Sequence, residues 1–352
     1  MNKCLITKLA GIVNNNSLLK IGELRLYVST IDSPSKNSQG LYITANQKVN
    51  LTITGDGYFT NETLSENKGK TLTIRENTQT LFYVSNNNVN ISLDNKYALT
   101  SLFSYASSVG VATKVNINFD ISYLTYSKNL TVLKLSNTQV SGNISALANL
   151  TGLTVVELSN TQVSDNISAL ANLTGLTILK LSNTQVSGNI SALANLTGLT
   201  VVELANTQVS GNISALANLT GLTSLNIPNL QVDLAVIAKF SALKNCSLKN
   251  GICSGDLSKL ANSLYFISFR DSTTRLTWTE RDTSANIIAI EGSPNVDNID
   301  KMLQDLANCK AAFPSETTYY KNITATGART SASDAAVQTL QSKGYTVSII
   351  PA

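Results

Sequence analysis

The sequence predicts an α/β solenoid of parallel strands preceded by a small all-β, sandwich-like domain, and three observations carry that prediction. The first is repetition. A string that opens Leu130-Thr-Val-Leu133-Lys-Leu135 and closes at Gly152 restarts at Leu153, Leu176 and Leu199, and in a decayed form at Leu222, a period of 23 residues. Looser copies open at Leu243 and Leu264, so the period drifts to 21 and seven turns can be counted. The second observation is the spacing of apolar residues inside the unit, which suits a coil and not a helix. The third is a change of pattern at both ends of the array, where alternating runs precede it and strand-then-helix segments follow it.

Within one unit, apolar residues stand at positions 1, 4 and 6, then 11, 15, 18 and 21. Side chains alternate along a strand, so the Leu pair at positions 4 and 6 shares one face. The remaining four return the chain through a bend and a helical or 3₁₀ turn. One unit cannot bury that set alone, so neighbours must stack, with their strands forming a parallel sheet at about 4.8 Å spacing. Gly142, Gly188 and Gly211 at position 13 suit a backbone of positive φ, and Asp165, which replaces glycine in the second unit, is a residue type that tolerates it. A right-handed solenoid follows.

The unit resembles the leucine-rich repeat, LxxLxLxxNxL, and its Val-Ser-Gly-Asn-Ile segment is similar to the LxGxIP continuation of the plant-type class. The resemblance implies a parallel sheet on the concave face. It departs at one place. The buried asparagine ladder of that family falls at position 9, where this sequence has Thr138, Thr161, Thr184 and Thr207, with Asn137, Asn160, Asn183 and Asn206 one place earlier. A threonine hydroxyl can donate to a neighbouring carbonyl, so a threonine ladder is the expected substitute.

Before the array, short alternating runs at Leu41–Thr44, Val49–Ile53, Thr71–Ile74, Leu81–Val84 and Val89–Leu93 are separated by turn signals such as Gly55-Asp56-Gly57 and Asn86-Asn87-Asn88. Short strands at such intervals predict a small β-sandwich over 1–95. Residues 96–129, with Leu99, Leu102 and Val115-Asn116-Ile117, are expected to form irregular capping coils, because a solenoid must shield its end. The repeat array is assigned to 130–272. Over 273–352 the pattern Ile287–Ile290 then Val296–Asn308, Asn322–Thr324 then Ala332–Ser342, and finally Tyr345–Ile350 predicts a C-terminal α/β cap that continues the parallel sheet. Ser331 and Ser333 are candidate N-caps, and Gly344 ends the last helix.

Composition excludes several function classes. Charged residues make up 14% of the chain, the net charge is +4, and 40 asparagines supply much of the polarity. So weak and scattered a charge gives no electrostatic footprint for nucleic acid. There is no histidine, which removes Ser-His-Asp and Cys-His pairs and imidazole metal sites. Cys4, Cys246, Cys253 and Cys309 lack zinc-ribbon or redox spacing and read as buried thiols. No metal and no cofactor is expected. The acid pairs Glu280/Asp282 and Asp297/Asp300 have no nucleophile or base placed with them by a motif, so no enzyme is expected. The opening Met1–Ala10 segment has an apolar run broken by Lys8 and lacks a secretory h-region, and no 18-residue apolar stretch exists for membrane insertion. Sequons such as Asn143, Asn149, Asn166 and Asn172 are read as composition.

Strand positions 3 and 5 point outward and form two candidate binding rows. One is Val132, Val155, Ile178 and Val201; the other, alternating in sign, is Lys134, Glu157, Lys180 and Glu203. The face reads either as a self-neutralised structural surface or as an apolar stripe that docks a partner. Near the end of the array Tyr265, Phe266, Arg270 and Trp278 have hot-spot composition, and equally the composition of a cover over the final core face.

Over nearly its full length the chain also resembles leucine-rich-repeat proteins encoded by crAss-like phages and related prophages of gut Bacteroidales. The residues concerned are Cys4–Leu9 with Asn16–Glu23, the Leu-Ser-Asn-Thr-Gln-Val-Ser-Gly repeats and the tail Thr330–Leu340. That resemblance implies a virion-associated structural or adhesion protein, made in the bacterial cytoplasm and carried in the virion. It implies other virion proteins as partners through an N-terminal anchoring and homo-oligomerising domain, with a host surface protein or glycan as the ligand of the displayed solenoid. A bacterial leucine-rich-repeat module that binds a protein is the alternative.

Overall fold

The computed structural model describes residues 116–310 and 321–351 throughout and, before them, eight strands: Leu24–Ser29, Gln39–Ala45, Val49–Gly55, Tyr58–Asn61, Thr71–Ile74, Thr80–Ser85, Val89–Leu93 and Leu99–Ala106. The Met1–Ala10 opening, Cys4 and the turn at 86–88 lie outside the described residues. Each of the five strands expected before the array is present, and Leu24–Ser29 and Tyr58–Asn61 are additional.

The stacking expected of the repeat is what the structure shows. Strands Val132–Lys134, Val155–Glu157, Ile178–Lys180 and Val201–Glu203 pair in parallel and in register, Val132 beside Val155, Val155 beside Ile178, Ile178 beside Val201. In the first coil Leu130, Leu133, Leu135, Val140, Ile144, Leu147 and Leu150 are fully buried, and the same seven positions are fully buried in each of the next three coils. Each such aliphatic side chain contributes about 1.5–3 kcal/mol on leaving water, and stacking joins all of them into one continuous core along the array. The long sheet continues in parallel through Ser224–Pro228, Asn245–Lys249, Phe266–Ser268, Ala289–Glu291, Asn322–Thr326 and Thr346–Ile350.

Two features differ from the sequence reading. The return segment is not a plain bend, because positions 10–14 form a second parallel sheet of seven strands, running from Ser141–Asn143 to Thr273–Thr277. Helix in the first four coils is limited to single 3₁₀ turns, Ile144–Leu147 and its three equivalents. Each turn opens on an asparagine whose side chain accepts from the backbone N–H two residues on, as Asn143 does from Ser145 at 2.7 Å. Residues 96–129 are also more regular than expected. Strand Leu99–Ala106 lies antiparallel to Gln39–Ala45 and parallel to Val132–Lys134. Asp120 caps a 3₁₀ turn at Ile121–Leu124, and Asp120-Ile-Ser-Tyr-Leu124 is thus a partial repeat one period before Asn143-Ile-Ser-Ala-Leu147.

The expected positive-φ positions are found. Gly142, Gly188 and Gly211 have φ of 105°, 104° and 124°, and Asp165 stands at 86°. Close approach favours glycine as well, since a Cβ on Gly188 would lie 2.4 Å from Oδ1 of Asn166, the cap of the preceding coil, and would force that side chain to shift. After the array come helix Ile299–Asn308, strand Asn322–Thr326, helix Asp334–Ser342 and strand Thr346–Ile350. Gly344, φ 84°, follows the second helix. Side-chain capping near Ser331 and Ser333 comes instead from Thr330, which accepts from the Ala332 N–H at 3.2 Å.

Candidate functional site

The solvent face of the long sheet is built by strand alternation. Because Leu133, Val156, Leu179 and Val202 turn inward, Val132, Val155, Ile178 and Val201 and the charged residues two places on turn outward and are half-buried. Lys134 pairs with Glu157 and Lys180 with Glu203, each with Nζ to Oε1 of 3.2 Å. The charges therefore cancel in two pairs beside the aliphatic row. Behind that row the position-2 threonines form a ladder: the hydroxyls of Thr154, Thr177, Thr200 and Thr223 donate to the carbonyl of the threonine one coil earlier, at 3.0–3.1 Å.

Tyr265 and Phe266 reach the same face, half-buried, and the Tyr265 hydroxyl accepts from Nδ2 of Asn245 at 3.0 Å. Register places Ser224 and Asn245 between Val201 and Phe266, so two polar rungs separate the aliphatic row from the aromatics. Arg270 is exposed and ion-paired with Glu291, which raises its pKa through that hydrogen bond. Trp278 is a correction to the sequence reading. It is 2% exposed, its indole Nε1 donates to Oδ2 of Asp305 at 2.9 Å, and it belongs to the core. Of the two readings the sequence left open for it, binding hot spot or cover over the final core face, the structure shows the second, because Trp278 directly follows Thr273–Thr277 of the second sheet.

Three of the four paired acids have structural partners. Asp282 accepts from the Ser284 N–H at 2.7 Å, and the bonds from Ser284 hold its carboxyl below the usual range. Asp297 accepts from the Trp278 N–H at 2.8 Å. The hydroxyls of Ser333 and Thr330 donate to Asp300 and lower its pKa. Cys246, Cys253 and Cys309 are buried free thiols; burial raises the pKa of all three, that of Cys253 to about 12. Among the described residues no group of three or more Cys, Asp or Glu is arranged to hold a metal, and no helix is long and apolar enough to cross a membrane.

Sequence reasoning missed the position-8 asparagines. Asn137, Asn160, Asn183 and Asn206 are left-handed, φ 55–61°, and exposed. The Nδ2 of Asn160, Asn183 and Asn206 each donates to the Oδ1 of the asparagine one coil earlier, at 2.6–2.7 Å. The buried threonines beside them form no ladder between coils, because each hydroxyl donates within its own coil, as Thr138 does to the Leu135 carbonyl at 2.6 Å. A four-fold repeated Asn preceding a turn was the available signal, since Asn is the non-glycine residue that adopts left-handed backbone most readily.

A 23-residue coil that buries leucine at positions 1 and 6, and leucine or valine at position 4, and stacks its strands in parallel defines a leucine-rich-repeat solenoid. No protein-family model and no curated protein sequence matches the chain. Among solved structures it is similar to an internalin, InlF, of Listeria monocytogenes, at 22% identity and TM-score 0.43, covering 72% of this chain and 82% of that one. A second internalin of that species, InlC2, gives 26% identity and TM-score 0.36, covering 51% and 82%. The leucine-rich-repeat ectodomain of the Arabidopsis thaliana receptor kinase GASSHO1/SCHENGEN3, solved in complex with CASPARIAN STRIP INTEGRITY FACTOR 2, gives 22% identity and TM-score 0.40, covering 50% of this chain; this chain spans 23% of that ectodomain.

Proposed function

We propose that the chain is a binding module that docks a protein partner on the solvent face of its long sheet, and that it does so as a virion-associated structural or adhesion protein of a phage. The observation that supports docking is the in-register aliphatic row Val132, Val155, Ile178 and Val201, half-exposed beside charges already paired with each other. Covering such a row removes apolar area from water, and the neutralised pairs present no net field to oppose a partner. Tyr265 and Phe266 extend the same face and supply aromatic area of the kind that anchors interfaces. The N-terminal strands then serve as the anchoring and self-associating part.

Two measurements test this reading. Mass spectrometry of gradient-purified particles, counting the unique segments 76–96 and 302–321, should recover the chain in stoichiometric ratio to capsid proteins. Its absence from particles and presence in the cell would overturn the virion assignment and leave the free binding module. The triple variant Val155→Asp, Ile178→Asp, Val201→Asp should lose sedimentation with host cells by at least about tenfold while remaining folded, with a cooperative melting transition. Undiminished binding by a folded variant would remove the sheet face as the docking surface.

A further inference from the structure

The long sheet is regular through coil 5 (222–242), but the second sheet is not. In the first four coils the second-sheet partners are 21 residues apart, Asp165 beside Val186. Between the fourth coil and the fifth they are 19 apart, Gly211 beside Leu230, while the long sheet still pairs Glu203 with Asn226 at the full 23. Two residues are therefore missing between Asn229 and Leu230, where the other coils carry Thr-Gln. The buried Leu230 follows Asn229 at once, and residues of this corner and the adjoining coils line a groove of about 570 Å³.

This deletion breaks the asparagine ladder. Asn229 keeps the left-handed backbone, φ 51°, but its carboxamide bonds to no described residue, and Lys249 reaches past it to Oδ1 of Asn206 at 3.4 Å. The carboxamides of Gln231 and Asn250 are likewise exposed and without side-chain hydrogen bonds among the described residues, and all three line the groove. Asn212 adds an Nδ2 donor, its Oδ1 being held by the Ser214 N–H at 2.8 Å. Leu230 lies at the base, and Ile252, 61% exposed where the first four coils carry glutamine, forms an apolar rim.

We infer that this groove binds a neutral, extended oligosaccharide. Its lining has no charge. Each carboxamide offers both a donor and an acceptor, which matches a sugar hydroxyl, and the two aliphatic side chains suit the C–H face of a ring. Spacing decides against a peptide. Coils repeat at about 4.8 Å, close to the length of one pyranose unit, whereas like-facing residues of an extended peptide recur at roughly 6.8 Å and fall out of step. The groove lies on the second-sheet side and is independent of the long-sheet docking face.

The test uses the full chain, labelled with nitrogen-15 and titrated at millimolar concentration with maltohexaose, cellohexaose and β-1,4-mannohexaose. At least one should move the side-chain amide resonances of Asn229, Gln231 and Asn250 and leave those of Asn137, Asn160 and Asn183 in place. The variant Asn229→Gly, Gln231→Ser, Asn250→Gly keeps the left-handed backbone, because glycine adopts it freely, and should weaken that binding at least about tenfold. Binding should survive Val155→Asp, Ile178→Asp, Val201→Asp, which separates this site from the sheet face. No resonance moving with any of the three sugars would overturn the inference, as would loss of sugar binding in that sheet-face variant. A capped Ser-Gly hexapeptide moving the groove resonances where the sugars do not would overturn it too.

Discussion

Coils 1–4 (130–221) and coil 5 (222–242) share one long sheet, and their core positions are filled by the same residue types, yet their surfaces have opposite character. In the first four, polar groups repeat at 23 residues and meet their own kind: threonine hydroxyl to carbonyl, asparagine to asparagine, lysine to glutamate. Those groups spend their hydrogen bonds internally, while the exposed carboxamides of Gln162, Gln185 and Gln208 stay dispersed one per coil. In coil 5 the loss of two residues leaves the core position filled, by Leu230 at 2% exposure, and moves only the corner. Regular stacking thus gives stability at every rung, and one short corner gathers the unpaired carboxamides of Asn229, Gln231 and Asn250 into one groove.

The largest effect is expected away from both regions, in the C-terminal cap. Arg281 is 2% exposed and donates to the carbonyls of Ser258, Leu260, Ala261 and Asn286 at 3.1–3.3 Å, clamping the last repeats to the cap. Burial lowers its pKa, and among the described residues no other side chain donates to so many backbone carbonyls. Arg281→Met leaves the carbonyls buried and unpaired and should cost about 3–5 kcal/mol in urea denaturation. Within the regular array, Leu179→Ala removes a fully buried side chain from the centre of the stack and should cost about 3 kcal/mol. If Leu179→Ala were nearly neutral, the stacking account of the array's stability would be wrong.

Much of this was legible in the sequence and some was not. The core was, because seven apolar positions recurring at one period leave only one way to bury them. The glycine at position 13 was legible through the substitution that proves the rule, Asp165. The second sheet was not, since Ser141-Gly142-Asn143 has no strand propensity and pairs only because its neighbours repeat it. Trp278 was misplaced because a tryptophan near an array end looks the same whether it covers the core or faces solvent. The asparagine ladder and the short corner were both written in the register, the first as a fixed Asn one place before the expected rung, the second as Asn229 followed at once by Leu230.

The contrast between a required glycine and an incidental one sharpens the account of the array. Gly188→Ala forces a side chain onto a φ of 104° and against Asn166, and should cost about 1–3 kcal/mol. Gly198→Ala places its Cβ 3.2 Å from the Leu176 carbonyl without a positive φ and should cost less than half as much. In the other direction, Asp165→Gly relieves a left-handed aspartate and should stabilise the fold by up to about 1 kcal/mol. Equal costs for the two alanine variants would mean that neither the positive φ nor the approach to Asn166 sets Gly188 apart.

The smallest effect concerns the charges. Lys134–Glu157 and Lys180–Glu203 are partly exposed, with side-chain exposures of 21–40%, and such pairs contribute about 0–1 kcal/mol and weaken with salt. Glu157→Gln should therefore shift the denaturation midpoint little at low salt and not at all at high salt. Its larger consequence is electrostatic, because it leaves Lys134 uncancelled beside the aliphatic row. If the sheet face docks a partner as proposed, the variant should change the salt dependence of that association far more than it changes stability. A stability loss of several kcal/mol, insensitive to salt, would instead make the charge ladder part of the structural core of the array and weaken the case for the face as a binding surface.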